Sequence, residues 1–202
     1  MSTAAAAFER TEYVEGRFKE QSFARGVYSG LRFEECRFES CDLSDCTLED
    51  CKLVDTEFIN CNLSLLQVRD TAFRGVKFTD CKLVGINWTR AHWQRVRMSA
   101  QLEFERCILN DSSFAGLHLP QIRMVECRIC DADFSGTDCE QADFSHSDFT
   151  HSTFHHTNLK GADFREARNY SIDITRNDVS RAKFTLPEAT ALLRGLDIEL
   201  YD

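Results

Sequence analysis

Every phenylalanine in this chain stands on a five-residue count. From Phe8 the step lands on Phe18, Phe23, Phe33, Phe38, Phe58, Phe73 and Phe78, and from Phe104 on Phe114, Phe134, Phe144, Phe149, Phe154, Phe164 and Phe184. Tyr13, Tyr28, Trp88 and Trp93 share the first series. A fixed period marks a tandem repeat, which dictates architecture before local propensity does. Two residues ahead of the Phe or Leu centre lies a small or thiol residue. Early in the chain it is Cys36, Cys41, Cys46, Cys51, Cys61 and Cys81; later it is Ala132, Thr137, Ala142, Ser147, Ser152, Thr157, Ala162 and Ala167. The other three positions are largely polar. The unit reads small–polar–Leu/Phe–polar–polar.

A period of five matches neither the helical 3.6 nor the strand period of 2. It suits a coil that turns a corner every five residues, two pointing inward per side and three facing water. The run A-D-F-S-G at Ala132–Gly136, then A-D-F-S-H and A-D-F-R-E, resembles the pentapeptide-repeat family, and the resemblance extends from about Phe8 to Phe184. It implies an all-β solenoid, a right-handed quadrilateral β-helix with four five-residue sides to a coil. Centres number nineteen from Phe8 to Met98 and seventeen from Phe104 to Phe184. That predicts about nine coils and a rod of roughly 43 Å at the strand spacing. Met98 and Phe104 are six apart, which predicts a one-residue bulge at Ser99, Ala100 and Gln101. Bulky residues in the small slot nearby (Leu66, Val76, Ile86, Val96, Leu102, Leu117, Ile122) predict widened or distorted middle coils.

The repeat domain is assigned to 1–184 and a C-terminal segment to 185–202. Thr185-Leu-Pro-Glu188 reads as a capping box with proline in the first turn. The helix that follows carries Leu186, Ala189, Leu192 and Leu193 on one face and closes at Gly195. Leu196-Asp-Ile-Glu-Leu200 alternates as a strand. So short a tail cannot bury this apolar surface alone. A homodimer joined end to end is expected through Leu186, Ala189, Leu192, Leu193, Leu196, Ile198 and Leu200.

Eight of the ten cysteines occupy the inner slot, where a thiol acts as a compact hydrophobe, and Cys41, Cys61 and Cys81 are expected to stack. That usage points to a reducing cytoplasm. The start MSTAAAAFER lacks the basic and apolar regions of a secretory signal, and no apolar run is long enough to span a membrane. The net charge of −9 is segregated: residues 34–60 hold nine acids and two bases, 66–128 ten bases and six acids, and 131–166 eight acids and two bases. A net negative rod repels phosphates, so direct nucleic-acid binding is not expected.

No constellation for chemistry emerges. Cys127 and Cys130 form a lone C-x-x-C whose sulfurs diverge in the repeat register. His146, His151 and His156 share an outward slot on successive sides and cannot converge on one ion. Trp88 and Trp93 are centre residues, which assigns them to the core. No catalytic, cofactor or metal site is assigned, and the chain is not expected to be an enzyme.

The tail Asn169–Asp173, Ala182–Ala189 and Leu196–Leu200 is similar to one subgroup of the family, the topoisomerase-protecting proteins: the Qnr proteins, AlbG and, more distantly, MfpA. That resemblance implies binding to bacterial DNA gyrase, with topoisomerase IV as a second target. The rod would imitate duplex DNA and relieve poisons such as quinolones or albicidin. Two copies at −9 each carry −18, against about fifty charges on a duplex of equal length, one per ~1.7 Å. Mimicry must therefore be local, and the partner-binding candidates are Asp133, Asp138, Asp143, Asp148 and Asp163. The unbroken count to Met98 leaves no room for the projecting loops of Qnr proteins, placing the chain nearer AlbG or MfpA. The alternative reading is a solenoid scaffold for a different protein partner.

Overall fold

A centre residue every five positions requires a corner between each pair, and a left-handed backbone residue supplies it. In the computed structural model, which describes residues 8–93, 101–196 and 198, φ is positive at Glu15, Glu20, Arg25, Gly30 and Glu35. The series recurs later at Gln121, Glu126, Asp131, Gly136 and Gln141. The chain winds into a right-handed coil of four faces with parallel pairing between coils. Face A carries the strands Glu12–Val14, Arg32–Glu34, Lys52–Val54 and Ala72–Arg74. Face B begins with Arg17–Lys19, Arg37–Glu39, Glu57–Ile59 and Val76–Thr79, and continues with Leu102–Glu105 and Arg123–Val125. Face D carries Val27–Ser29, Thr47–Glu49 and Gln67–Arg69. Face C is held by isolated bridges at Ser22, Asp42, Asn62, Lys82, Ile108, Arg128, Asp148 and Arg168.

Centres on face B run Phe18, Phe38, Phe58, Phe78, Phe104, Met124, Phe144, Phe164, Phe184. These levels enclose about eight turns, fewer than the nine predicted, and a rod of about 38 Å at ~4.8 Å per level. Part of the shortfall lies at the phase slip. Tyr13 pairs with Phe33, 20 positions on, but Phe78 pairs with Phe104 and Lys82 with Ile108, 26 positions on (104 − 78). The slip is therefore six residues, one whole repeat plus one, and the one-residue bulge is corrected. The added length falls between His92, still in register with Ala72 on face A, and Leu102 on face B. Ser99 and Ala100 lie outside the described residues, as do Met98, Val96, Arg95 and Arg97. Gln101 is described, and its carbonyl accepts from Val76 N–H at 3.1 Å.

The core follows the repeat. Phe38, Phe58, Phe78, Phe104, Phe114, Phe134, Phe144, Phe149 and Phe164 are buried, as is Trp88, while Trp93 is half-buried and packs against them. Rings on one face stack at the strand spacing: Phe18–Phe38 4.5 Å, Phe38–Phe58 4.7 Å, Phe58–Phe78 5.1 Å and Phe78–Phe104 5.1 Å. The inner slot does more than fill space. Cys41 N–H donates to Cys61 Sγ and Cys61 N–H to Cys81 Sγ, both at 3.4 Å, so the predicted ladder exists. Cys41 Sγ and Thr137 Oγ1 each donate to a carbonyl of the preceding coil. Cys, Ser and Thr share this slot because each combines small volume with a donor for a buried carbonyl.

The end of the chain departs from expectation. The helix is a 3-10 helix at Glu188–Gly195 with Pro187 at its N-cap and no side-chain cap. Thr185 forms no capping box: its hydroxyl accepts from Glu166 N–H at 2.9 Å. Ala191 and Leu192 pack against the core and cover the end of the rod, beside Tyr170 and Phe184. Asn177 occupies the inner slot there, accepting from Thr157 N–H and donating to Phe154 and Asp173 carbonyls. The predicted strand falls mostly outside the described residues, including Leu200.

A candidate partner-binding surface

Side chains of the repeat fill the core, so the surface that a partner meets is made by the faces and corners. Which acids are free there depends on how each face is made. Where Asp or Asn precedes the centre, its carboxyl or amide oxygen accepts from the N–H two residues on. Examples are Ser44 to Asp42, Ser64 to Asn62, Ser135 to Asp133 and Glu140 to Asp138. The next inner residue then donates back to the centre carbonyl, as Thr137 does to Phe134 and Ala142 to Cys139, both at 3.1 Å. The result is a β-turn with positive φ at its third residue, the type II geometry. The three-residue strands instead have Glu, Arg, Lys, Thr, Gln, Val or Ala at that position.

This distinction decides the fate of the five aspartates singled out from sequence. Asp133 lies on face D, Asp138 on face A, Asp143 on face B and Asp148 on face C, so they do not form one acidic face. Only Asp143 and Asp163 share a side. Each is half-buried and closes a turn, to Ser135, Glu140, Ser145, Thr150 and Arg165 respectively. Four of them also pair with a base: Asp138 with His118 (2.6 Å), Asp143 with Arg123 (3.8 Å), Asp148 with Arg168 (3.3 Å) and Asp163 with Arg165 (2.6 Å). Hydrogen bonds from Arg165 hold the Asp163 carboxyl down to about 2. Burial alone would raise Asp148, but bonds from Thr150 and Asn169 and the charge of Arg168 outweigh it and lower it.

The free acids lie elsewhere, on corners that the sequence reading treated as generic polar positions. Glu15, Glu35 and Asp55 stack on the corner between faces A and B; Asp50 and Asp70 stack on the corner between faces D and A. All are exposed, and none makes an ion pair among the described residues. The sequence signal was the density of Glu, Asp, Asn and Gly two places after each centre.

Other candidates resolve simply. All ten cysteines are free and buried, including Cys130, which lies outside the inner slot. Burial pushes the Cys46 thiol up to about 12 and raises Cys36, Cys51 and Cys139, which disfavours the thiolate. His146, His151 and His156 occupy three successive corners. Among the described residues no group of His, Cys, Asp and Glu could hold a metal ion, and no helix is long and apolar enough to cross a membrane.

The four-faced coil, the five-residue unit and its positive-φ corners define a β-solenoid built by sequence repetition. The family model described as a pentapeptide repeat region matches residues 31–101 and 87–164, so the chain belongs to the pentapeptide-repeat family. No curated protein matches it by sequence. Among solved structures it is similar to a trypsin-treated variant of QnrB1, a plasmid-mediated fluoroquinolone resistance protein, with TM-score 0.62 and 18% identity over 94% of this chain and 100% of that one. A second trypsin-treated QnrB1 variant gives TM-score 0.60 and 20% identity over 95% and 92%. HetL from the cyanobacterium Nostoc sp. strain PCC 7120, a protein involved in heterocyst differentiation regulation, gives TM-score 0.60 and 13% identity over 88% and 86%.

Proposed function

We propose that this protein binds bacterial DNA gyrase, with topoisomerase IV as a second target, and protects it from poisons such as quinolones or albicidin. The observation that carries the reading is a rod of QnrB1-like fold over nearly its whole length, bearing free carboxylates in rows along its corners. Rows at ~4.8 Å spacing present negative charge along a rod, as a duplex does at about 3.4 Å per phosphate on each strand. The site of mimicry is then the N-terminal corner rows; the aspartates of 131–166 serve the turns. The protein acts without catalysis, in the cytoplasm, where ten buried thiols remain reduced. It works as a dimer joined at its C-terminus, since Leu186 and Ile198 are 75% and 54% exposed there and Ala189, Leu193 and Leu196 are half-buried.

The test is gyrase supercoiling with purified protein titrated against a fluoroquinolone. Restored supercoiling is expected, and Glu35→Gln, Asp50→Asn, Asp55→Asn and Asp70→Asn combined should weaken it more than Asp133→Asn does. No effect of the protein on either reaction would sink the reading. The HetL-like fold favours a second one, a scaffold for a different protein partner, which that null result would promote. Leu193→Asp with Leu196→Asp should reduce the dimer in dilute solution; an unchanged mass by light scattering would remove the C-terminal contact.

A further inference from the structure

Both rows of free carboxylates border face A. Glu15, Glu35 and Asp55 line its edge with face B, and Asp50 and Asp70 line its edge with face D. Neither row continues up the rod. Gly75 follows Asp55 on one edge, and Arg90 follows Asp70 on the other, its carbonyl accepting from Asp70 N–H at 2.9 Å. Past the phase slip the two edges carry Gln121, Gln141 and Gly161, and Gly116, Gly136 and His156. Among the described residues no carboxylate resumes either row.

Cations stand where the rows stop. Arg74 lies on face A, Arg90 at its edge, and Lys52 and His92 flank Ala72 on the neighbouring coils. All four are exposed, and Lys52, Arg74 and Arg90 make no ion pair among the described residues. Arg32, lower on the same face, is by contrast tied to Glu12 at 3.3 Å and Glu34 at 2.7 Å. The small Ala72 side chain leaves the free cations uncovered. Face A is therefore polarised along the rod, anionic toward the N-terminal end and cationic at its middle. A duplex has no such change of sign, carrying one negative charge per ~1.7 Å throughout. A wholly basic groove that took in the carboxylate rows would meet the arginines as like charge, which disfavours that fit. The surface complementary to face A is basic opposite the rows and acidic beyond them.

Resting on the topoisomerase reading, we propose that face A is the side of the rod that docks on gyrase, and that Arg74 and Arg90 meet an acidic group of that partner. A change of sign fixes register. The partner is thereby held at one place along the rod, where uniform charge would let it slide.

Binding of the full chain to immobilised gyrase tests it. Arg74→Glu with Arg90→Glu makes the rod more acidic, so a rod acting by negative charge alone would bind as tightly or tighter. The expected result is an affinity weakened at least about tenfold, with thermal melting unchanged because both side chains are exposed. The milder Arg74→Gln with Arg90→Gln should weaken it about threefold. Equal or tighter binding by either variant, melting with the wild type, overturns the role of face A while the topoisomerase reading stands. A wild type that does not bind gyrase overturns both.

Discussion

Residues 12–79 and residues 113–168 wind the same coil by different local chemistry. In the first stretch, faces A, B and D are three- and four-residue strands, and the residue before each centre is a long or branched side chain except at Ala72. In the second, most faces are β-turns closed by an aspartate or asparagine, with Ala, Ser or Thr inside. The difference shows that the solenoid needs only the inner pair and the left-handed corner. How the residues between are bonded is a local choice with a consequence for charge. A turn-closing aspartate bonds the backbone in addition to any base it meets, whereas a strand-side acid such as Glu57 meets only a base, here Arg37 at 3.0 Å. In the first stretch the corner acids stay free of ion pairs among the described residues, whereas in the second the corner Asp131 meets the corner His151 at 3.5 Å.

The comparison can be broken most forcefully at the core, where the halves should not differ. Phe58→Ala and Phe144→Ala, both fully buried, should each lose about 3–5 kcal/mol in denaturant titration. A marked inequality would mean one half is loosely packed. At the turns the halves should part company. Asp148→Ala removes bonds from Thr150 and Asn169 and should cost about 1–2 kcal/mol. Asp148→Asn keeps the turn acceptor and should cost less, and Arg37→Ala on a strand should cost no more than about 0.5 kcal/mol. Equal losses would show that the turn bond is not what distinguishes the regions.

Acid sensitivity sharpens the contrast. The folded Asp163 carboxyl sits at about 2, below its ordinary 3.8. Its contribution is complete above pH 3.8 and is lost as pH falls toward 2. Asp163→Asn should flatten that limb of the stability profile; an unchanged limb would assign the acid loss to other carboxylates. The smallest effect is expected at a corner. Leu65 holds φ 62° and is 52% exposed. Leu65→Asn, suited to that conformation, should gain a few tenths to about 1 kcal/mol. A loss by thermal melting would show that Leu65 earns its place by contact with Gly85 or a partner.

Much of this was legible in the sequence. Phenylalanine spacing identified the centres, and the small slot ahead of them identified the inner partner, down to the Cys41–Cys61–Cys81 ladder. The insertion was misjudged because a count modulo five cannot separate one added residue from six. The burial of Cys130 was not legible, because the repeat register does not show that a turn residue is covered by its neighbours. The bonding of the aspartates was not legible, because the signature A-D-F shows which residue faces out but not what its carboxylate bonds to. The capping box failed for a similar reason: Thr185 and Glu188 have the right spacing, but Glu166 N–H already claims the threonine hydroxyl, and the helix forms at Glu188–Gly195 without it.

The positive-φ corners have a further bearing. At those positions the fold asks for a backbone conformation and almost nothing of the side chain, which is Glu at 35, Leu at 65, Arg at 106 and His at 151. Foldability and recognition are therefore written in separate columns of the same repeat. A lineage can rewrite the corner column wholesale, changing what the rod is recognised by, while the inner columns preserve the rod itself.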